Sequence, residues 1–172
     1  ITKGIFLIGG GEGKTIITSN YSATSGTVTG PNFLIHYAPS NIAANEPFRV
    51  SGFTFELASK CMMILFSNST ATPITNIRFD HNTVNNPTNR TIAISGAVYG
   101  VIDSNTINAP TLVFTYYGSN ETSWRNLTYT PGGPDNMYFE DNVITTSDTP
   151  HDGGVGGRAC IRRNTYYLKD GA

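Results

Sequence analysis

Charge is scarce in this chain of 172 residues: Lys and Arg number 11, Asp and Glu 12, and the formal net charge is −1. A general nucleic-acid surface needs a basic face, so this balance argues against nucleic acid as a partner. Long apolar runs are missing as well. The stretch from Cys61 to Phe66 is among the longest, far short of the roughly 20 residues that a membrane helix requires, so no membrane span is expected. Helical spacing of apolar residues is scarcely visible, and the start carries neither a Met nor a leader pattern. Only two cysteines occur, Cys61 and Cys160.

Thr, Ser, Asn and Gly are abundant instead, as in β-proteins that meet water with hydroxyls and amides, and an extracellular or cell-surface location is expected. Five sequons, at Asn20, Asn68, Asn89, Asn120 and Asn126, are no more than such a composition supplies by chance. The length suits one domain spanning residues 1–172 with a continuous core.

A segment recurs five times through the middle of the chain. Gly52–Glu56, Asn76–Asn82, Tyr99–Asn105, Asn136–Asn142 and Arg158–Asn164 align on an outward charge at Glu56, Asp80, Asp103, Glu140 and Arg162, in steps of 24, 23, 37 and 22 residues. A repeat of about 20 to 29 residues is too short for a helix pair and suits one turn of a solenoid. Inside each copy the apolar residues keep one parity, for example Ile77 and Phe79 or Met137 and Phe139, while Arg78 and Asp80 or Tyr138 and Glu140 keep the other. That alternation predicts strands with one buried face. Further short strands are predicted at Met62–Phe66, Thr91–Ser95 and Leu112–Tyr116. The fold class is therefore all-β, a right-handed parallel β-helix with turns of about 22–24 residues. Stacked turns place Cys61 and Cys160 too far apart to bridge, so two free thiols are expected.

Asn82, Asn105, Asn142 and Asn164 follow the charge position by two residues. They read as a corner ladder, with Asn in the left-handed conformation and its amide bonded to the next turn. The long step of 37 residues carries an insertion at about 118–135, with Trp124, Tyr129 and the Pro131–Pro134 turn. Gly9–Thr15 invites a phosphate-loop reading, but Ile8 stands where that motif needs glycine and a strand-like run follows. His151 and Asp152 lack a metal spacing and read as a turn. His81 also reads as a turn residue, and His36 is isolated.

Phe48–Phe55, Ile77–Thr83, Tyr99–Thr106 and Tyr138–Asn142 resemble the repeats of the right-handed parallel β-helix proteins of the pectate-lyase-like superfamily, and Gly4–Thr15 is similar to their opening turn. The resemblance spans about residues 4 to 167. It implies a parallel β-helix and a polysaccharide as partner, and in its lyases acidic residues hold calcium while an Arg serves as base. One fold hosts many functions, so the chemistry must come from the site.

The outward acids are the candidate site. Carboxylates on adjacent turns repel, by roughly 1 kcal/mol at about 5 Å in water, and hard oxygen donors so placed suit Ca²⁺. Asp80, Asp103 and Glu140 are the expected metal ligands. Arg162, with Asp103, is assigned to catalysis as the resemblance implies, and Arg78 grips a uronate carboxylate. Trp124 and Tyr138 would wall the groove, Trp124 either stacking on sugar rings or plugging the insertion onto the solenoid. The expected function is an extracellular polysaccharide-binding or polysaccharide-degrading β-helix, in its most concrete form a calcium-dependent lyase on uronate polymers. The alternative is a non-catalytic segment of an adhesin, phage tailspike or extracellular fibre. Neither end of the solenoid looks capped, and a piece of a longer protein or a unit that stacks end to end is expected.

Overall fold

The computed structural model describes residues 1–22, 32–58, 61–118, 128 and 130–169. The chain winds through six coils. The first holds β1 (Phe6–Ile8), β2 (Ile16–Thr18) and β3 (Phe33–Tyr37), followed by a 3-10 turn at Ile42–Ala44. The second holds β4 (Phe48–Ser51), β5 (Thr54–Glu56) and β6 (Met62–Ser67), and the third β7 (Ile74–Asp80), β8 (Thr83–Asn85) and β9 (Arg90–Ser95). The fourth holds β10 (Val98–Asp103), β11 (Thr106–Ala109) and β12 (Leu112–Tyr117). The fifth holds β13 (Met137–Glu140), β14 (Val143–Thr146) and β15 (His151–Gly154), and the last β16 (Ala159–Arg162) and β17 (Thr165–Leu168).

Equivalent strands stack in parallel into three sheets. The first runs β1-β4-β7-β10-β13-β16, the second β2-β5-β8-β11-β14-β17, and the third β3-β6-β9-β12-β15. This is the right-handed parallel β-helix that the repeat predicts. All three predicted strands between the copies are present, as β6, β9 and β12.

The inward parity forms the core. Phe79, Ile102 and Phe139 from the first sheet meet Phe55, Val84, Ile107 and Ile144 from the second and Ile64, Phe66, Ile92 and Phe114 from the third, all buried. Each such side chain contributes about 1.5–3 kcal/mol on leaving water. Rings pack between coils: Tyr37 stacks on Phe48 at 4.2 Å, and Phe114 lies 4.7 Å from Phe139. Ile161 keeps the inward parity yet is exposed, because β16 is an edge strand of its sheet. Cys61 and Cys160 are both free.

The pairing corrects the repeat at its first copy. Asp80 is in register with Ser51, and Arg78 with Arg49, so β4 rather than Gly52–Glu56 continues the first sheet. Glu56 belongs to the second sheet opposite Asn85, whose amide donates to it at 2.6 Å. The Phe-Thr-Phe run of Phe53–Phe55 mimics the repeat because any half-buried strand alternates in this way.

The asparagine ladder is present, with one difference in its backbone. Asn82 donates to Asn105 at 3.3 Å, Asn105 to Asn142 at 3.0 Å and Asn142 to Asn164 at 2.9 Å. Each of these three amides also donates to a carbonyl one coil back along the first sheet's corner, at Val50, Phe79 and Ile102 respectively. The left-handed residues, however, are those just before the asparagines. Gly52, His81, Ser104, Asp141 and Arg163 have φ of 78, 53, 55, 56 and 56°, and it is they that turn the chain from the first sheet into the second.

Candidate functional site

Position along β4, β7, β10 and β13 decides what each outward residue can do. One row carries Arg49, Arg78, Val101 and Tyr138; the next carries Ser51, Asp80, Asp103 and Glu140. The acids were expected at the surface, but they are buried, with Asp80 at 0%, Asp103 at 8% and Glu140 at 9% exposure. Arginines cover them. Arg49 reaches forward one coil and forks onto Asp80, at 2.8 Å through Nε and 2.6 Å through Nη2. Arg78 repeats the reach onto Asp103 at 2.9 and 2.7 Å. Val101 and Tyr138 occupy the following arginine positions, so Glu140 is served from the other side, by Arg162 and, at 3.0 Å, by Arg163.

Planar guanidinium–carboxylate forks are strong and directional. They explain how three acids stack on successive coils without mutual repulsion. Burial by itself would raise the Asp80 carboxyl, but hydrogen bonds from Arg49, His81 and Ser51, with the nearby Arg78 charge, hold it below the usual range. Hydrogen bonding to Glu140 holds Arg162 above its usual range, which keeps it protonated and so unable to take a proton as a base. This donor set does not fit a calcium site: the carboxylate oxygens of Asp80 and Asp103 face guanidinium forks, and Glu140 faces two arginines. Among the described residues, no three His, Cys, Asp or Glu side chains gather as a metal cage.

The arginines themselves are half exposed, Arg49 at 38% and Arg78 at 43% of their side chains. Both line a shallow groove of about 280 Å³ on the outer face of the first sheet, together with Phe6, Thr75 and Asn76. Nε and Nη2 of each are committed to its carboxylate, which leaves the outer edge of the guanidinium toward the groove. Arg78 is thus where the sequence placed it, on the open face. Its neighbour Arg49 falls outside the repeat read from the sequence, because Phe53–Phe55 mimics the copy one strand further on.

Tyr138 is buried rather than offered as a platform: its hydroxyl donates to the Gly133 carbonyl at 2.8 Å, and Arg162 lies 5.3 Å above its ring. Trp124 and Tyr129 lie outside the described residues, as does most of the insertion at 118–135. His81 is not a bare turn residue. The corner turns its ring to the same side as Asp80, and its Nδ1 lies 2.7 Å from Asp80 Oδ2. His151 sits in β15, not in a turn, with Nε2 2.7 Å from the Tyr166 hydroxyl and its ring against Phe114 and Phe139. Burial pushes it down to about 4.

No protein-family model, no curated protein and no solved structure matches the chain. Among the described residues, no helix is long and apolar enough to cross a membrane.

Proposed function

We propose that this chain is an extracellular β-helix of the pectate-lyase-like kind that binds an acidic polysaccharide along the outer face of its first sheet. One observation carries the reading: Arg49 and Arg78, on adjacent coils, present half-exposed guanidiniums to a shared groove. A carboxylate on a sugar would be recognised there by the outer edges of the guanidiniums, with the buried Asp80 and Asp103 holding both side chains in place. Shallow and open, with Phe6 and Val101 beside the two arginines, such a face suits a polymer better than a small enclosed ligand. The lyase version, with Arg162 as base and calcium on Asp80, Asp103 and Glu140, has less support because guanidiniums engage those groups.

Affinity electrophoresis in gels cast with polygalacturonate, alginate or a neutral glucan tests this. Retardation is expected in the acidic gels only, and it should weaken as salt is raised. Equal mobility in all gels would contradict the reading.

The non-catalytic alternative, a segment of an adhesin, tailspike or fibre, is favoured by a different observation. Large exposed apolar side chains gather on the two end coils, at Phe6, Ile8 and Ile16 on one and Ile161, Tyr167 and Leu168 on the other. Those strands are also the open edges of their sheets. End-to-end association should then appear in sedimentation velocity as a mass that grows with protein concentration; a constant monomer would count against it.

A further inference from the structure

A second polar site lies round the corner from the arginine face, where β7 and β10 turn into β8 and β11. The corner column there is Gly52, His81, Ser104, Asp141 and Arg163, all with positive φ. Gly or Asn serves such a position with least strain; other side chains cost on the order of 1 kcal/mol each. Asp141 and Arg163 engage each other in a fork at 2.8 Å through both pairs, so their presence has a local reason. His81 and Ser104 have no such mutual pairing. Among the described residues, the Ser104 hydroxyl reaches only its neighbour Asp103, at 3.5 Å. His81 touches Asp80 through Nδ1, while its side chain remains 62% exposed.

Asp80 accepts from Arg49, Ser51 and His81, and it is wholly buried. A carboxylate in that role takes the Nδ1 hydrogen, fixes the imidazole plane, and turns the Nε2 edge away from Asp80. Beside His81 and Ser104 lies a cavity of about 230 Å³, bounded also by Thr83, Thr106, Gly11 and Glu12. It is open to solvent on one side and is large enough to seat a sugar ring. The lining offers hydroxyls, an imidazole edge and one carboxylate, a set that matches groups able both to donate and to accept. It contains no Lys or Arg, and Glu12 would repel an anion.

We propose that the cleft between the Gly11–Glu12 turn and the His81–Ser104 corner binds an uncharged sugar residue through its hydroxyls, with His81 as the orienting residue. The inference rests on the carbohydrate reading above but concerns a different surface and a different sugar. An acidic chain lying over Arg49 and Arg78 would meet this cleft at the end of β7, so a polymer carrying neutral units between or beside its acidic ones would use both.

Amide correlation spectra of the whole chain, titrated separately with cellotriose, maltotriose, xylotriose and trigalacturonate, provide the test. A neutral trisaccharide should shift the amides of His81–Thr83, Ser104–Thr106 and Gly11–Gly13, and trigalacturonate should shift Arg49, Asn76 and Arg78. His81→Asn should weaken neutral binding tenfold or more. Asn accepts the left-handed conformation at least as readily as His, so this variant should fold and melt as the parent does. Cleft amides that stay still with every neutral sugar while the arginine face responds would overturn the cleft and leave the acidic-polymer reading standing. Neutral binding that His81→Asn does not weaken would overturn it too. Shifts in the cleft with no response at the arginine face would support the cleft and sink the acidic-polymer reading, and silence at both would sink both.

Discussion

Two polar columns run up the same corner of this solenoid one residue apart from the turn, and they solve burial differently. Asparagine is donor and acceptor at once, so Asn82, Asn105, Asn142 and Asn164 are satisfied by one another and by the main chain of the neighbouring coil, with no other side chain needed. Carboxylates only accept. Asp80, Asp103 and Glu140 cannot pair among themselves and must be supplied with donors, which the structure draws from Arg49 and Arg78 on one side and Arg162 and Arg163 on the other. The self-sufficient column is closed and structural. The dependent column brings arginines to the surface, and these are what the proposed ligand would meet.

The largest effect that breaks this contrast is Asn105→Asp. It turns a self-complementary rung into an acceptor-only one, removing the donors to Phe79 and Asn142 and burying a carboxylate against the Phe79 and Asn142 oxygens that the amide had bonded. Urea unfolding should report a loss of about 3–5 kcal/mol. Next comes the acid column. Arg78→Met alone should cost about 2 kcal/mol, because Asp103 is left buried beside no fork. The double variant Arg78→Met with Asp103→Leu should recover most of that loss while abolishing retention on polygalacturonate. A double variant as unstable as the single one would mean that the fork, and not its unmatched half, is what stabilises the fold.

A smaller effect concerns pH. Burial depresses His151 from 6.5 to about 4, so between these values the unfolded chain binds a proton that the folded chain refuses. Stability should therefore fall as pH drops from about 6.5 to about 4, and should be flat in this respect above and below that window. At roughly 1.4 kcal/mol per pH unit the ceiling is about 3 kcal/mol, and partial solvent access lowers it to about 2. Asp80 acts in the same direction lower down: its depressed carboxyl contributes stability above the ordinary carboxylate range that is lost as pH falls through its folded value. Urea midpoints at pH 7, 5.5 and 4 separate the two, since His151→Phe should flatten only the upper part.

Much of the fold could be read from the residues because a solenoid repeats its logic. Ile77 and Phe79, Ile102, and Met137 and Phe139 announce the inward parity, and the asparagines announce the corner. The register of the second coil could not be read, since Phe53–Phe55 alternates as well as Phe48–Val50 does and only pairing separates them. The left-handed residues were hidden too. Asn is the usual occupant of such a position, and nothing in the composition of His81, Ser104, Asp141 or Arg163 marks them as its replacements. The candidate site was half legible: the order of Arg78 and the acids along the repeat can be read from the residues, but their mutual reach from coil to coil depends on side-chain direction, which residue spacing does not encode. Trp124 lies outside the described residues.

The most direct test of the central claim is binding to polygalacturonate in the presence of a calcium chelator. With guanidiniums as the recognition groups, affinity should be unchanged by chelation and should fall steeply with added salt. Binding that vanishes on chelation and returns with calcium would contradict the account, and would return the acid column to the role of a metal site.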